Sequence, residues 1–337
     1  LTLSGGAGTA SGGSDATPAD FTLSLGNRPV IANLSGDSVA FVEDGGAVLL
    51  DANADAARSD ADTANFGGGS LSLAYVSGQS TDDRLVIDTS GAVSLSAAQA
   101  ANVTVSVGGT VIGTLRAGAA GGASEALVID LTADATPARL QQLISALSYT
   151  NISEDPDTSD RVLSLTVVDD AGLTSDVAAL TVSVAAQDDA PTLTATPENP
   201  GYSEGATASD LFSSVTADAI ENGQTFTGLT LTIDNLADGA AEMLQIDGST
   251  LTLTHGTTLM TATNSLSASV TVSGTTATVT ISGATLSAVD LQALIDGLAY
   301  ENTSDSPQDS STRAVTITGL TDSGSATGGN SNAATLS

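Results

Sequence analysis

The sequence predicts an all-β protein made of tandem β-sandwich repeats, with one short helix in each repeat. Three observations carry this prediction. Apolar residues alternate with Ser and Thr over most of the chain, turn residues separate these runs at short intervals, and one long motif occurs twice. Alternation with a period of two is typical of strands that bury one face and expose the other to water.

The strand prediction rests on runs such as SLSLAYV, VTVSVGG, LSLTVVD, LTLTIDN, SVTVSG and ATVTIS, which clusters of Gly, Asp and Asn separate. The helix prediction rests on two segments of a different kind. In ATPARLQQLISAL, Thr136 is placed to cap a helix and Pro137 to open it, and in LSAVDLQALIDG, Ser287 precedes Asp290 by three residues. In the first segment the leucines and Ile144 recur on one helical face, so we expect each helix to close one end of a core.

The repeated motif locates the repeats. LQQLISALSYTNISEDP at residues 140–156 returns as LQALIDGLAYENTSDSP at residues 291–307. Since large aromatic side chains fix the packing around them, aromatic residues at matching positions predict matching cores. Six of the nine aromatic residues pair in this way: Phe41 with Tyr202, Phe66 with Phe226, and Tyr149 with Tyr300.

Three segments follow from these matches. Residues 1–28 align with the end of the first copy and are predicted to be the last strands of a preceding repeat, residues 29–189 form one repeat, and residues 190–337 form the next. The first copy carries extra residues, which we expect to form a loop at RAGAAGGAS, residues 116–124. The chain opens in what reads as mid-strand, without methionine, so we expect it to be a segment of a longer protein.

The charge of the chain restricts its partners. It has 39 acidic residues against 7 basic ones, all arginine, and a formal net charge of −32. Such a field repels phosphate backbones and anionic lipid headgroups, so nucleic acid and membrane insertion are not expected, whereas multivalent cations are, with Ca²⁺ the first candidate. Cysteine is absent, which excludes disulfides and thiolate sites.

The order of several features resembles a known family. A short Leu-rich helix, Tyr-x-Asn, an acidic loop with proline, Arg161 or Arg313, and then VVDDAGLTS and DDAP are similar to the tandem repeats of giant bacterial surface proteins of the RTX-adhesin type. Those repeats are described as cadherin-like, and they also resemble chondroitin sulfate proteoglycan repeats. The resemblance implies secreted, cell-surface β-sandwiches of the cadherin or immunoglobulin type that stack end to end, contact neighbouring repeats or other copies, and bind calcium at their junctions.

The resemblance also implies metal ligands. Gln187-Asp188-Asp189-Ala190-Pro191 stands where the family commonly has Asn-Asp-Ala-Pro, whereas residues 26–29 put arginine where an acid belongs. Calcium takes six to eight oxygen ligands, which a linker and the two flanking repeats can supply together. The alternative is that these acids are solvated turn formers. The candidate ligands are Glu43 and Asp44 from the first repeat, Asp188 and Asp189 from the linker, Asp218 and Glu221 from the second repeat, and Asp60 and Asp62 as equivalents in the first repeat.

No catalytic constellation is expected. The one histidine, His255, has no evident partner, and the low aromatic content leaves little to stack a sugar for glycoside hydrolysis. The sequence therefore predicts a structural or adhesive protein and not an enzyme. Two alternatives stay open: a ligand-binding adhesin module that uses Thr-x-Thr faces against a glycan or ice surface, and a subunit of a self-assembling sheath or filament.

Overall fold

The structure is a computed structural model that describes residues 26–62, 64–324 and 333–334. The described chain is predominantly β, with two short α-helices, as the sequence predicts. The predicted strands of a preceding repeat, residues 1–28, lie outside the described residues except for positions 26–28. No helix among the described residues is long and apolar enough to cross a membrane.

The first half of the described chain holds thirteen strands and one helix. They are β1 (Val30–Ala32), β2 (Ser38–Val42), β3 (Val48–Leu49), β4 (Ala57–Ser59), β5 (Ser70–Ser77), β6 (Asp83–Ile87), β7 (Val93–Leu95), β8 (Thr104–Val107), β9 (Thr110–Ala120), β10 (Leu127–Leu131), α1 (Pro137–Ile144), β11 (Leu147–Asn151), β12 (Arg161–Val168) and β13 (Ala178–Ala185). An eight-stranded sheet has the order β2-β13-β12-β5-β10-β9-β8-β7, a three-stranded sheet has the order β3-β11-β6, and β1 pairs with β4.

The second half of the described chain holds twelve strands, one α-helix and one 3₁₀ turn. They are β14 (Thr192–Pro197), β15 (Ser209–Asp210), β16 (Phe212–Asp218), β17 (Phe226–Asp234), a 3₁₀ turn (Gly239–Ala241), β18 (Glu242–Ile246), β19 (Ser249–Thr252), β20 (Thr258–Met260), β21 (Ser267–Ser273), β22 (Thr276–Leu286), α2 (Ala288–Asp296), β23 (Ala299–Asn302), β24 (Ala314–Asp322) and β25 (Ala333–Ala334). A six-stranded sheet has the order β20-β21-β22-β17-β24-β25, a four-stranded sheet has the order β15-β23-β18-β19, and β14 pairs with β16.

Each half has its own hydrophobic core. In each half, strands of the larger and the smaller sheet both contribute buried side chains to one apolar cluster, which we call the first core (residues 34–184) and the second core (residues 193–320). The two clusters have no residue in common. Among the described residues, no sheet contains strands from both halves.

The predicted aromatic matches hold in three dimensions. Phe66 and Phe226 are both buried. Tyr149 meets the ring of Phe41 edge to face at 5.4 Å, and Tyr300 meets the ring of Tyr202 in the same way at 5.7 Å. Both tyrosines are buried, so the repeated motif marks the same point in the two cores.

Both predicted helices are present. Thr136 and Pro137 open α1, which buries Leu140, Leu143 and Ile144 against the first core. At α2 the hydroxyl oxygen of Ser287 accepts the amide of Asp290 at 3.2 Å, as the capping pattern predicts.

The expected loop at residues 116–124 is wrong in part. Arg116 to Ala120 form the end of β9, and residues 121–126 connect it to β10. The long β9 pairs with β10 through an irregular register, and the Arg116 guanidinium pairs with the carboxylate of Asp130 across that ladder. Gly and Ala suggested a loop, but strand pairing with β10 overrides their weak strand preference.

A buried ion pair joins the two sheets of the first core. Arg161, at the start of β12, donates from Nε to Asp83 Oδ2 on β6 at 3.0 Å, and both side chains are fully buried. Two side chains of β11 complete the pair, since Tyr149 donates its hydroxyl to Asp83 Oδ1 at 2.5 Å and Asn151 donates its amide at 2.7 Å. Burial opposes the charged carboxylate, but the hydrogen bonds from Tyr149, Ser80, Arg161 and Asn151 outweigh it and lower the pKa of Asp83.

The second core has the same arrangement with one more acid. Arg313 donates to Glu242 at 2.6 Å and to Asp238 at 3.2 Å. Tyr300 donates its hydroxyl to Glu242 at 2.8 Å, and Asn302 donates its amide to Asp238 at 2.7 Å. The Tyr-x-Asn motif therefore serves the same purpose in both halves, which is to donate hydrogen bonds to the acids that pair with Arg161 or with the partly buried Arg313.

Replacing Arg161 with alanine should lower the free energy of unfolding of the first core by about 3–5 kcal/mol, because it leaves the Asp83 carboxylate buried without its cation. Arg116→Ala is the matched control, since its pair with Asp130 is half-exposed and should contribute less than about 1 kcal/mol. Urea denaturation monitored by circular dichroism gives both values. Equal losses in the two variants would contradict the role assigned to Arg161.

Candidate metal site between the two cores

The peptide that links the two cores is tied to the first core by a buried glutamate. Glu43 follows β2 and is 2% exposed. Its Oε2 accepts the backbone amide of Gln187 at 2.7 Å, and its backbone carbonyl accepts the Gln187 side-chain amide at 2.6 Å. The segment that follows β13 is therefore held beside the end of β2.

The same peptide is tied to the second core one and two residues later. Glu221 Oε1 accepts the backbone amide of Asp189 at 2.5 Å, and Gln224 donates its side-chain amide to Asp188 Oδ1 at 2.7 Å. A further hydrogen bond joins the halves directly, because the backbone amide of Asn222 donates to Asp155 Oδ2 at 3.0 Å. Asp188 and Asp189 thus lie where the halves meet.

One group of acids lies on the first-core side of the link. Carboxylate oxygens of Asp44, Glu154 and Asp189 lie within 4.8 Å of one another. The carboxyl of Glu43 is close enough for Asp189, Asp44 and Glu154 to act on its charge. We call Glu43, Asp44, Glu154 and Asp189 the first donor group.

A second group lies on the other side of the link. It consists of Asp188, Glu221, Gln224 and Asp322, and we call it the second donor group. Each member has a buried side-chain oxygen that accepts no hydrogen bond from the described residues: Asp188 Oδ2, Glu221 Oε2, Gln224 Oε1 and Asp322 Oδ2. Asp188 and Asp322 are only 8% and 2% exposed, respectively. Buried oxygens of this kind carry the full cost of lost hydration unless a cation or a donor meets them.

Four of these acids have pKa values above those of ordinary carboxyls: Glu43, Asp189, Glu221 and Asp322. Burial, reinforced by the charges of Asp189, Asp44 and Glu154, raises the pKa of Glu43 to about 7, although the hydrogen bond from Gln187 opposes the shift. Burial, followed by the charges of Glu154 and Glu221, raises the pKa of Asp189 to about 6. In the second donor group, burial raises the pKa values of Glu221 and Asp322, and the charge of Asp188 adds to both shifts. Each group therefore holds several acids close together, and burial limits the hydration of some of them.

These donors suit a hard cation. Carboxylate and amide oxygens are the ligands that Ca²⁺ and Mg²⁺ take in proteins, and Ca²⁺ accepts irregular sets of them. Among the described residues, the carboxylates of Asp44, Glu154 and Asp189 in the first donor group converge closely enough to hold a metal ion, and Asp44 and Glu154 are exposed. In the second donor group the observation is a different one, namely buried oxygens that accept no hydrogen bond from the described residues.

The predicted ligands separate into distinct places. Glu43, Asp44 and Asp189 belong to the first donor group, and Asp188 and Glu221 to the second. Asp218 belongs to neither, because it is exposed and its Oδ1 accepts the backbone amide of Ile220 at 2.9 Å, which stabilises a turn.

Asp60 and Asp62 follow β4, and Asp62 lies beside the segment at residues 26–27 that precedes the first core. Asp62 Oδ2 accepts the backbone amide of Asn27 at 2.8 Å, which matches the contact between Glu221 and Asp189 one repeat later. The position that corresponds to Asp188 is Gly26, where an added Cβ would lie 2.8 Å from Leu173 Cδ1. A side chain there would require the end of Leu173 to shift, and glycine leaves this end without the acid that Asp188 supplies at the link.

Three members of the donor groups were not predicted from the sequence: Glu154, Gln224 and Asp322. Glu154 lies in the repeated acidic loop, SEDP, whose second copy has Asp305. At the spacing set by Arg161 and Arg313, Asp322 aligns with Asp170 of VVDDAG, so the repeat itself carried a signal for an acid there. Gln224 has no such signal, because its role depends on a contact with Asp188 across the link.

No protein-family model matches the chain, and no curated protein matches it. The resemblance to cadherin-like repeats therefore stays a prediction from the quoted motifs.

The side chain of His255 contacts the backbone and not an acid in the hydrogen bond that the structure shows for it. Its Nδ1 accepts the backbone amide of Val272 at 3.1 Å.

Without metal, the free energy of unfolding should fall as the pH rises from about 4.5 to about 7. The reason is that folded Glu43 keeps its proton up to a pKa of about 7 whereas a free glutamate loses it near 4.5, so the folded state binds more protons in that window. Urea denaturation in chelator at a series of pH values measures the slope. Glu43→Gln keeps an acceptor for Gln187 but cannot titrate, and it should flatten the curve; an unchanged slope in this variant would refute the assignment.

Proposed function

We propose that this chain is an extracellular structural or adhesive segment of a large bacterial surface or matrix protein, in which calcium stiffens the joint between tandem repeats. The observation that carries the proposal is the position of the link. Its two adjacent aspartates enter two different donor groups, one on each core, so that cations bound there would hold both cores to the same short peptide.

The repeats themselves are part of the proposal. We infer that residues 29–189 and 190–337 are two β-sandwich repeats of the cadherin or immunoglobulin type. Support comes from the two separate cores, each built from a larger and a smaller sheet, and from the cluster of an arginine with acids, a tyrosine and an asparagine that recurs in both. Residues 1–28 would be the end of a preceding repeat of the same kind.

The choice of calcium follows from the donors. Mg²⁺ demands near-ideal octahedral geometry and keeps its water, whereas Ca²⁺ tolerates seven or eight ligands at irregular angles. The second donor group holds partly buried oxygens around an irregular turn, which favours Ca²⁺. Lysine is absent from the sequence, so cations from solution are the natural neutralisers of this charge. A secreted, cell-surface location supplies calcium at the concentrations that such sites bind.

A second candidate function has one specific observation behind it. The outward face of the six-stranded sheet carries rows of hydroxyls in register, which would suit an adhesin module that binds a glycan or ice surface. One row runs across four neighbouring strands: Thr271, Thr278, Thr232 and Thr316. Co-sedimentation with insoluble polysaccharide, and ice-affinity partitioning, test this reading independently of calcium.

Calcium should stabilise and straighten the chain. Because the metal binds the folded joint and not the unfolded chain, it should add about 2.7 kcal/mol at a hundredfold excess over its dissociation constant. Thermal melting and small-angle scattering in calcium, magnesium or chelator at constant ionic strength measure the effect. Calcium should raise the melting temperature and reduce the spread of inter-core distances, and magnesium should do so weakly.

The double variant Asp188→Asn with Asp189→Asn should lose the calcium response. Asp305→Asn is its matched control, since Asp305 is an exposed acid outside both donor groups. If calcium and chelator give the same melting temperature and the same scattering curve for the unaltered chain, the joint is not a calcium site. An equal loss in the control would show that only total charge matters.

The two donor groups should bind separate ions. Isothermal titration of the metal-free protein should give two equivalents of calcium at the joint. Asp44→Asn with Glu154→Gln should remove one equivalent, and Glu221→Gln with Asp322→Asn should remove the other, because each pair belongs to only one group. Loss of both equivalents in either double variant, or one equivalent in the unaltered protein, would show a single shared site.

A further inference from the structure

One turn beside the link contains an asparagine followed by a glycine. The connection between β16 and β17 holds Asn222-Gly223, and Asn-Gly occurs nowhere else in the sequence. Both residues are exposed. Gly223 has a φ of +86°, in the left-handed region that glycine adopts without strain. The space around it is open, since a Cβ added there would have none of the described residues within 4 Å apart from its chain neighbours.

An asparagine followed by glycine can lose its side-chain amide without any catalyst. The backbone nitrogen of the glycine gives up its proton and attacks the asparagine Cγ, and the side-chain nitrogen takes up a proton and leaves as ammonia. Water then opens the resulting five-membered ring at either carbonyl, which gives aspartate or its β-linked isomer. One water is consumed and one ammonia is released, with no oxidant or reductant. Glycine favours the attack because no Cβ shields its nitrogen and its backbone turns freely.

The structure leaves both reacting groups free to meet. Among the described residues, the side-chain amide of Asn222 has no hydrogen-bond partner, and the backbone N–H of Gly223 donates to none. Asn264 provides the contrast, since it also precedes a small residue, Ser265. Its side-chain amide donates to Asp247 Oδ1 at 2.7 Å, which opposes the rotation that the attack requires. The two asparagines therefore differ in freedom as well as in the residue that follows them.

The turn also takes part in the contact between the two halves of the chain. The backbone amide of Asn222 donates to Asp155 Oδ2 of the first half at 3.0 Å. The residues on either side of the Asn-Gly pair hold the link, because Glu221 and Gln224 make hydrogen bonds to its two adjacent aspartates. A chemical change at Asn222 therefore acts where the halves meet.

We propose that Asn222 is a site of spontaneous deamidation and that the reaction loosens the contact between the halves. Either product places a carboxylate where a neutral amide stood, next to Glu221 and close to the carboxylate of Asp155. Like charges repel each other at such separations, and the chain has no lysine to offset them. The β-linked product also adds one carbon to the main chain, which shifts Gly223 and Gln224 relative to Glu221. Both products act in the same direction.

The contact would then change once, in one direction, with the age of the protein. The reaction does not run backwards in dilute solution, because the ammonia is lost. This inference goes beyond the proposed function, because it needs no bound metal.

The first test follows the chemistry in the full chain, kept in chelator at neutral pH, by peptide mapping with mass spectrometry. Deamidation raises the mass of the peptide that holds Asn222 by the difference between an amino and a hydroxyl group. Asn222 should react faster than Asn264 by about tenfold or more, because glycine leaves its nitrogen unshielded. Gly223→Ala should slow the reaction about tenfold for the same reason. Equal rates at the two asparagines, or an unchanged rate in Gly223→Ala, would overturn the assignment.

The second test measures the contact between the halves by small-angle scattering in chelator at constant ionic strength. The aged chain should show a wider spread of inter-core distances than the fresh chain. Asn222→Asp should reproduce this widening without ageing. Asn222→Gln keeps a neutral amide and should not widen over the same period of storage. Asn53→Asp is the matched control, since it makes the same change of charge at an exposed turn outside both donor groups.

Two results would overturn the proposed effect on the contact. Unchanged scattering in the aged chain and in Asn222→Asp would show that the new carboxylate leaves the contact intact. Equal widening in Asn53→Asp would show that total charge, and not the position of the carboxylate, sets the spread of distances. Calcium takes no part in either measurement, so these results are distinct from a failure of the metal site.

Discussion

The two cores depend on a charge pair that apolar packing alone would not favour. Arg161 with Asp83, and Arg313 with Glu242, lie between the larger and the smaller sheet, where the loss of hydration is most costly. A tyrosine hydroxyl, an asparagine amide and backbone carbonyls meet most of the remaining donors and acceptors, although Arg161 Nη2 is buried without a partner among the described residues. These hydrogen bonds come from strands of both sheets, so the pair favours the relative position of the sheets in which they form.

The link between the two cores also holds buried acids, but no arginine among the described residues pairs with them. Carboxyl groups are again partly buried, but Asp188 and Asp322 keep oxygens that no described residue meets. An arginine at this position would have neutralised these acids from within the chain, independently of the surroundings. In the proposed function, cations from the surroundings meet these oxygens, so the stiffness of the joint would differ between one environment and another.

The features that could be predicted from the sequence are those that a short local motif determines. The helices at Thr136 and Ser287, the matched tyrosines and the Asp188-Asp189 link all follow from short motifs. Prediction from the sequence was wrong or incomplete where contacts between distant parts of the chain decide the structure. Residues 116–120 read as loop but join β9, and Gln224 and Asp322 meet Asp188 only because the fold brings them together. A local motif does not indicate which strand a segment will pair with. Nor does it indicate which side of the link a side chain will contact.

The parallel pairing of β2 with β13 has a mechanical consequence. β2 lies near the start of the first half of the chain and β13 at its end, and five residue pairs join them. Tension that pulls the start of β2 away from the end of β13 acts along both strands in opposite directions. It therefore loads their hydrogen bonds together in shear, instead of opening them one at a time from an end. A chain that carries tension along its length would meet its resistance at this ladder, well before the apolar core is exposed.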